Sequence, residues 1–416
     1  MNPLLPRSFF MADAEAHVMP DGRLYIVGST DVSGKKDYCS KEYHIWSTDS
    51  PNLEGFVDHG TVFENTESNP AVPWSKGTTL YAPDMAYKDG RYYLFICGSD
   101  AFEAVASSDK PYGPYGDVKK IEKADKNGID PTVLVDDDGS VYYLWGQFHL
   151  RGIKLKDNMC EAVEGSFTDN ILTEQEHGFH EGASIRRING KYYIVYTDIS
   201  RGKATCMSYA VSDKPLGPYK KGGVIIDNTY CDPGTWNNHG SIQFYRDRWF
   251  IFYHRSSQNG ATCRRVCAEP ITIAPDGSIA EVPMTSNGAG EPIDAYGKID
   301  ASSACRLKGS LYITPDTENE GAEILTDCGG GSWTEAWAEY KTLDFKSGAR
   351  KFTAEASGVG KITVMTEKDG RIGSLEFNGN KRVRLETALS AVPTGVRTVW
   401  ILFEGRLDFI SFGFIK

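Results

Sequence analysis

Five segments of the chain share one pattern: a short extended run, a tight turn, and a second extended run rich in aromatic residues. They span residues 12–28, 80–98, 129–146, 181–196 and 239–254. Four of them have Asp-Gly or Asn-Gly at the turn, and the fifth has Arg246-Asp247 there. Such dipeptides are the strongest short-range signal of a β-hairpin, because hairpin turns need residues that tolerate positive φ. Their recurrence at intervals of about 50–70 residues is typical of β-propeller blades with about four strands each.

The sequence therefore predicts an all-β fold in which residues 1–294 form a five-bladed β-propeller. A β-sandwich or a string of unrelated hairpins is the alternative, but neither would give the five hairpins a common register. From residue 295 to 416 the spacing changes, and short alternating runs at 361–365 and 398–403 are separated by glycine turns. This pattern predicts a second domain, a β-sandwich of the jelly-roll type.

Composition restricts the partners of the chain. Its 416 residues include 45 Lys and Arg against 56 Asp and Glu, a formal net charge of −11. Nucleic acids and anionic membranes require a basic face, so we expect neither as a partner and favour a neutral ligand. No apolar run reaches the length of a membrane span. The N-terminus lacks a basic segment before a long apolar core, so we expect a signal peptide to be absent or already removed. We favour a periplasmic or extracellular location over the cytoplasm. We also expect the protein to be a monomer.

The nine cysteines are scattered without a Cys-x-x-Cys pair. They predict neither a zinc site nor a disulfide framework. Cys263 and Cys267 lie four residues apart in an extended stretch, which would hold their Cα atoms too far apart for a disulfide bond.

Equivalent positions in the five hairpins include three carboxylates. The positions nine residues before the turns are Asp13, Tyr81, Asp130, Glu181 and Asn238. The first strand of each propeller blade lines the central channel, so side chains at equal offsets should converge on the axis. Separate solvent-exposed strand ends are the alternative for each acid taken singly. Clustering like charges costs energy, and active sites use such clusters, so we expect the three acids to share one pocket.

Paired carboxylates suit the cleavage of a glycosidic bond. One protonated carboxyl donates to the leaving oxygen, while an ionised partner activates water or attacks the anomeric carbon. Glu181 is the better candidate for the acid because its longer side chain reaches further. Asp13, across the channel, is then the base, and Asp130 is left to tune and orient the acid.

At these residues the sequence resembles glycoside hydrolase family 43 over roughly its first 290 residues. The similar motifs are Met-Ala-Asp (11–13), Tyr-Ala-Pro-Asp (81–84), Ile-Asp-Pro (129–131), Glu-Gly (181–182), Tyr-His-Ile-Trp-Ser (43–47), Asn-His-Gly-Ser-Ile (238–242) and Arg-Arg-Val-Cys (264–267). The resemblance implies an inverting reaction with Asp13 as general base, Glu181 as general acid and Asp130 as modulator of its pKa. Ala14 departs from the family, which usually has proline after the base.

The resemblance also implies binding residues. Many relatives have a histidine like His239 that ligates calcium on the propeller axis, so the candidate ligand is a structural calcium ion, with a buried core histidine as the alternative; no organic cofactor is expected. Arg264 matches a family arginine that binds sugar hydroxyls, and an edge ion pair is the alternative. Asn238 is expected to contact the substrate. Trp74, Trp145 and Phe148 are candidates for stacking on a sugar face, with packing between blades as the alternative for each.

The end of the chain, Leu-Asp-Phe-Ile-Ser-Phe-Gly-Phe (407–414), loosely resembles a family 6 carbohydrate-binding module. Trp333, Trp337 and Tyr340 are candidates for its sugar platform, and a purely structural sandwich is the alternative. For the whole chain we predict an exo-acting hydrolase that releases terminal α-L-arabinofuranosyl or β-D-xylosyl units from plant hemicellulose. A non-catalytic glycan-binding propeller is the alternative, whereas a fructan-cleaving propeller would need an Asn-Asp-Pro-Asn-Gly signature that the sequence lacks.

Overall fold

The computed structural model describes residues 1–72, 76–122, 128–327 and 336–416. Within these ranges the fold is built almost entirely from strands, as predicted. One short helix, α1 (Glu174–His177), and one 3-10 turn (Ala301–Ser303) interrupt them. No helix in the described ranges is long and apolar enough to cross a membrane.

Five small antiparallel sheets form the blades of the predicted propeller. The first blade contains β1 (Phe10–Val18), β2 (Leu24–Asp31), β3 (Glu42–Thr48) and β4 (Val57–Glu64). The second contains β5 (Asp84–Lys88), β6 (Arg91–Cys97), β7 (Glu103–Ser108) and β8 (Gly116–Lys120). The third contains β9 (Thr132–Val135), β10 (Val141–Trp145) and β11 (Arg151–Leu155). The fourth contains β12 (Phe179–Ile188), β13 (Lys191–Asp198), β14 (Cys206–Ser212) and β15 (Lys220–Asp227), and the fifth contains β16 (Ile242–Tyr245), β17 (Arg248–Ser257) and β18 (Gly260–Ile271).

Each predicted hairpin supplies the first two strands of one blade. The turn residue from which the offset of nine positions is counted has positive φ in every blade: Gly22 (77°), Gly90 (83°), Gly139 (79°), Gly190 (77°) and Asp247 (66°). Asp247 therefore adopts the backbone conformation that glycine provides in the other four turns. A separate cluster of buried apolar side chains lies between each pair of neighbouring blades.

The N-terminal segment closes the ring of blades. The Leu4 amide donates to the Val266 carbonyl over 2.9 Å, which places the start of the chain along the outer strand of the fifth blade. Near the axis, Ala14 of β1 forms a parallel bridge with Gly240, just before β16. The first and fifth blades are thus joined at both their inner and outer edges.

The later strands form a β-sandwich around a single apolar core. They are β19 (Ile293–Asp294), β20 (Ile299–Asp300), β21 (Arg306–Lys308), β22 (Leu311–Pro315), β23 (Glu323–Asp327), β24 (Ala336–Asp344), β25 (Lys351–Thr366), β26 (Gly370–Ala388) and β27 (Val396–Ile415). β27 pairs with β25 along nearly its whole length and with β24 along its first half, so long strands connect the layers. The domain boundary at residues 294 and 295 stays a prediction.

One buried and one partly exposed ion pair attach the sandwich to the propeller. Arg265 of β18 pairs with Glu323 of β23, and both side chains are almost fully buried. At the rim of the same contact, Arg7 pairs with Asp300 over 3.0 Å.

Cys305 packs into the apolar cluster between the fourth and fifth blades. It is one of eight cysteines in the described residues, all of which are buried and free.

Candidate active site

A cavity of about 220 Å³ opens at one end of the propeller axis. The residues that line it are Asp13, Tyr38, Cys39, Tyr81, Ile129, Asp130, Gln147, His180, Glu181, Trp236, Asn237, His239 and Arg264. Four of the five equivalent hairpin positions are among them, including all three acids. The three carboxylates predicted to converge therefore share one cavity.

Local distortions of the inner strands aim these side chains into the cavity. Asp13 and Asp130 have positive φ values of 56° and 53°, and the β1–β2 register shifts between Ala12 and Glu15. The register of β12 shifts in the same way around Glu181. An irregularity of this kind rotates a side chain out of the normal alternation of a strand. Proline after Asp13 is therefore not required to bring its carboxylate to the axis.

Asp13 is held in its ionised form. Arg264 Nη1 donates to both carboxylate oxygens over 2.9 and 3.2 Å, and Ser29 Oγ donates to Oδ2 over 2.6 Å. Burial disfavours the charge on Asp13, but the Arg264 guanidinium and a hydrogen bond from His239 outweigh it and hold the Asp13 pKa well below its usual range. A carboxylate in this state can accept a proton from water.

Asp130 has the opposite environment. Burial and the nearby charges of Glu181 and Asp13 raise its pKa to about 7, even though His239 opposes the shift. Glu181 is half-buried and accepts hydrogen bonds from Gln147 Nε2 over 2.7 Å and from Asn237 Nδ2 over 3.3 Å. The charge of Glu181 thus makes ionisation of Asp130 less favourable.

His239 lies between two of the acids. Its Nδ1 is 3.5 Å from Asp13 Oδ1 and 3.9 Å from Asp130 Oδ2. Burial alone would lower the His239 pKa, but the hydrogen bond to Asp13 and the charge of Asp130 raise it to about 9. The site therefore stabilises a positive charge at this point of the axis.

Comparisons with known proteins identify this arrangement. The model of glycosyl hydrolases family 43 matches residues 2–279. The chain belongs to family 43. It is 32% identical to a xylosidase/arabinosidase of Thermoclostridium stercorarium, and the alignment covers 97% of this chain and 96% of the relative.

Solved structures of family 43 have the same architecture. A β-xylosidase/α-arabinofuranosidase from a compost microbial metagenome, solved with xylotriose in a calcium-free form, is 28% identical with a TM-score of 0.58 and covers 68% of this chain and 97% of its own. An arabinoxylan arabinofuranohydrolase of Bacillus subtilis, solved with cellotetraose, covers 100% of this chain and 97% of its own with a TM-score of 0.57. Its 24% identity supports the fold alone. Family membership makes this chain a glycosidase.

Arg264, which the family resemblance predicts to bind sugar hydroxyls, is held by two carboxylates of the protein. Its Nε and Nη2 donate to the two carboxylate oxygens of Asp31 over 2.9 and 3.0 Å, while Nη1 donates to Asp13. Its side chain is only 2% exposed, and its guanidinium lies 4.9 Å from the Tyr38 ring centroid. The main contacts of Arg264 are thus with Asp31 and with the base, Asp13, and the sugar contact inferred from other family 43 enzymes stays a prediction.

Two predicted substrate contacts are wrong. Asn238 is fully buried and turned away from the cavity, where its Nδ2 donates to the Thr205 carbonyl over 3.0 Å. Trp145 is 1% exposed and packs against Tyr143 with ring centroids 5.7 Å apart, so its ring belongs to the core between the second and third blades. Trp74 lies outside the described residues.

The other aromatic candidates differ in their exposure to solvent. Phe148 is exposed beside the cavity and packs edge-on against His180 at 5.2 Å. Tyr340 is fully buried in the core of the sandwich, so it is not part of a sugar platform. Trp337 is half-buried at the surface, and Trp333 lies outside the described residues.

The sequence interpretation missed a histidine that joins the base to the acid. His254 Nδ1 accepts a hydrogen bond from the Asp13 amide over 3.4 Å, and its Nε2 lies 3.0 Å from the Asn237 carbonyl. Asn237 in turn donates to Glu181. Burial lowers the His254 pKa, so the ring is neutral and Nε2–H is the donor. His254 lies on β17, and no spacing within one hairpin connects it to Asp13.

Proposed function

We propose that this chain is an exo-acting, inverting glycoside hydrolase that releases terminal α-L-arabinofuranosyl or β-D-xylosyl units from plant hemicellulose. The observation that carries the proposal is the single cavity shared by Asp13, Asp130 and Glu181. The relative from Thermoclostridium stercorarium, named a xylosidase/arabinosidase, matches this chain over nearly its whole length and supports the choice of sugars.

In the proposed mechanism, Asp13 is the general base. Its carboxylate, kept ionised by Arg264, takes a proton from a water molecule as that water attacks the anomeric carbon. Glu181, in its protonated form, gives its proton to the glycosidic oxygen as the bond breaks. Asp130 shares the cavity with both, and the charges of Glu181 and Asp13 help to raise its own pKa to about 7, which suits the role of a modulator. The products are a free sugar of inverted configuration and the shortened chain.

The size of the cavity supports exo action. Its volume of about 220 Å³ lies below the roughly 300–1,000 Å³ of pockets that hold drug-sized ligands. A space of this size suits one sugar ring, with the rest of the substrate outside. Because the sugar is neutral, the net negative charge of the chain does not oppose binding.

The proposal includes a calcium ion beside His239. Asp130 and neutral His239 would hold it, and the nearby carboxylates suit its charge, although calcium prefers more oxygen ligands than these residues offer. A bound ion would supply positive charge at the point where the His239 imidazolium otherwise supplies it. Elemental analysis of the purified protein, together with the melting temperature before and after chelation, tests this part. A metal-free protein whose melting temperature does not respond to added calcium would contradict it.

The decisive experiment measures hydrolysis of p-nitrophenyl α-L-arabinofuranoside and β-D-xyloside. We expect release by the wild type and a loss of about 100-fold or more in Glu181→Gln and Asp13→Asn. NMR of the first anomer released should show inversion, whereas retained configuration would refute the single displacement. Background rates over a broad panel of aryl glycosides would favour a glycan-binding propeller without activity.

A further inference from the structure

One loop connects the catalytic cavity to a second, larger groove. Residues 228–241 join β15 to β16, and Trp236 and Asn237 within this loop line the cavity. The residue before them, Thr235, lines a groove of about 570 Å³ where the propeller meets the sandwich. Consecutive residues of one loop therefore line the groove and the cavity, and the volume of the groove exceeds what one sugar ring requires.

Both domains build this groove. The propeller provides residues around Tyr230 and Asp232, and the sandwich provides the turn that contains Leu307, Lys308 and Gly309. The Leu307 amide donates to the Tyr230 carbonyl over 2.5 Å, which fixes the sandwich to the loop.

Aromatic side chains are exposed along the same path. Trp236 is 49% exposed and Tyr230 is 54% exposed, although large aromatic rings are usually well buried. The Arg306 guanidinium of the sandwich lies 5.3 Å from the centroid of the Tyr230 ring and 5.8 Å from the Trp337 ring. Arg306 thus contacts both Tyr230 of the propeller and Trp337 of the sandwich across the domain junction.

The loop is held in place before any ligand binds. Asp232 accepts hydrogen bonds from the amides of Gly234 over 2.8 Å and Asn259 over 3.1 Å. Asn228 Nδ2 donates to the carbonyls of Asn237 and His254 over 2.9 and 2.8 Å. A preorganised surface loses less conformational entropy on binding than a mobile one.

One cation of the groove is neutralised by residues of the propeller. Arg201, at one wall, pairs with Glu281 over 2.8 Å and with Asp227 over 3.0 Å. Its positive charge is therefore already balanced by carboxylates of the propeller.

We infer that this groove binds the main chain of the polysaccharide from which the terminal sugar is removed. The inference rests on the proposed function, because the removed sugar would occupy the cavity while the remaining chain leaves past Trp236. Sugar rings would then stack on Tyr230 and Trp337, since the apolar faces of sugars bury well against aromatic rings. The sandwich thereby becomes part of the substrate site and determines the preference for polymer over small glycosides.

The test compares a polymer with an aryl glycoside on the full chain. For each variant we compare kcat/KM on arabinoxylan with kcat/KM on whichever p-nitrophenyl glycoside the wild type hydrolyses. We expect this ratio to fall about 3–10-fold in Tyr230→Ala and in Trp337→Ala, mainly because KM for arabinoxylan rises. Phe244→Ala is the matched control: Phe244 is a comparably exposed aromatic on β16 that packs against Trp249. An unchanged ratio in both groove variants would overturn the inference.

A binding measurement separates this inference from the proposed function. The Glu181→Gln variant and the Glu181→Gln/Tyr230→Ala double variant are run through a native gel that contains soluble arabinoxylan. The retardation of their migration by the polysaccharide is then compared. Retardation that weakens with Tyr230→Ala supports the groove even if no glycoside is hydrolysed. Equal retardation of the two proteins would contradict it, and melting temperatures show whether each variant is folded.

Discussion

Arg264 donates from one nitrogen to both carboxylate oxygens of Asp13, over 2.9 and 3.2 Å. Asp31 holds the other side of the same guanidinium, so the arginine cannot turn away from the base. This pairing explains how a carboxylate that is only 5% exposed remains ionised. The charge of the base therefore depends on a residue that is 251 positions away in the sequence.

We predict that Arg264→Gln moves the acidic limb of the pH profile upward. The base works only when ionised, so activity is lost as the pH falls through the Asp13 pKa. Without the arginine this pKa rises, and we expect the acidic limb of kcat/KM to shift by about 1–3 pH units. The measurement is kcat/KM on an aryl glycoside from pH 3 to pH 9.

The neighbouring arginine provides the control. Arg265 faces the opposite side of β18 and pairs with Glu323 of the sandwich. Arg265→Gln should lower the melting temperature and leave the acidic limb in place. If both variants shift the limb equally, the effect does not come from the contact with Asp13.

The sequence predicted the repeat and the three acids because both depend on local backbone chemistry. Turn residues with positive φ mark each hairpin, and a fixed offset from them locates Asp13, Asp130 and Glu181. Trp145 could not be placed in this way. Each blade is covered on both faces by its neighbours, so the alternation that separates a buried face from an exposed one is lost.

Asn238 and His254 show a second limit of the sequence. Asn238 has the correct offset, but its side chain donates to the Thr205 carbonyl, and its neighbours Asn237 and His239 line the cavity instead. His254 contacts Asp13 only because closure of the ring brings the fifth blade beside the first. Such contacts depend on the assembled propeller rather than on any single hairpin.

We predict that His254→Gln lowers kcat more than it changes KM. The ring supports Asp13 directly and Glu181 through Asn237, so its loss should misalign both the base and the acid. A 10–100-fold fall in kcat is expected, with a change in both limbs of the pH profile.

Another buried histidine serves as the control for that variant. His177 in α1 contacts the Tyr219 carbonyl over 3.3 Å and lies outside the cavity. His177→Gln should reduce stability while kcat stays near the wild-type value. If His254→Gln behaves in the same way, its role is structural only.

Gly182, next to the acid, is predicted to tolerate no side chain. Its φ is 66°, and an added Cβ would lie 2.7 Å from His239 Cγ and 2.8 Å from Thr197 Oγ1. Gly182→Ala should therefore displace His239 or Glu181 and lower kcat/KM by at least about 10-fold, besides reducing the melting temperature.

Gly190→Ala isolates the backbone effect, because Gly190 has a φ of 77° with no atom within 4 Å of the new Cβ. We expect Gly190→Ala to cost about 1–2 kcal/mol of stability and to leave activity intact; equal activity losses in the two variants would contradict the steric argument.

Glu15, buried on β1 two residues after Asp13, should make the fold less stable in alkaline solution. Burial and the charge of Asp84 raise its pKa to about 8, although the Arg186 guanidinium, 2.9 Å away, opposes the shift. Because the folded protein holds this proton more tightly than the unfolded chain, stability falls as the pH rises from about 4.5 to about 8. Glu15→Gln keeps an oxygen for the hydrogen bonds from Ser184 and Arg186 but cannot ionise.

We therefore expect equal melting temperatures for the wild type and Glu15→Gln at pH 4.5, and a higher value for the variant at pH 8.5. Each kcal/mol of relieved strain corresponds to at least about 1 °C in a chain of this length. Glu164→Gln, which replaces an exposed carboxylate, should match the wild type at both pH values. A Glu15→Gln protein that is less stable than the wild type at pH 8.5 would mean that the ionised carboxylate, through its pair with Arg186, stabilises the channel rather than straining it.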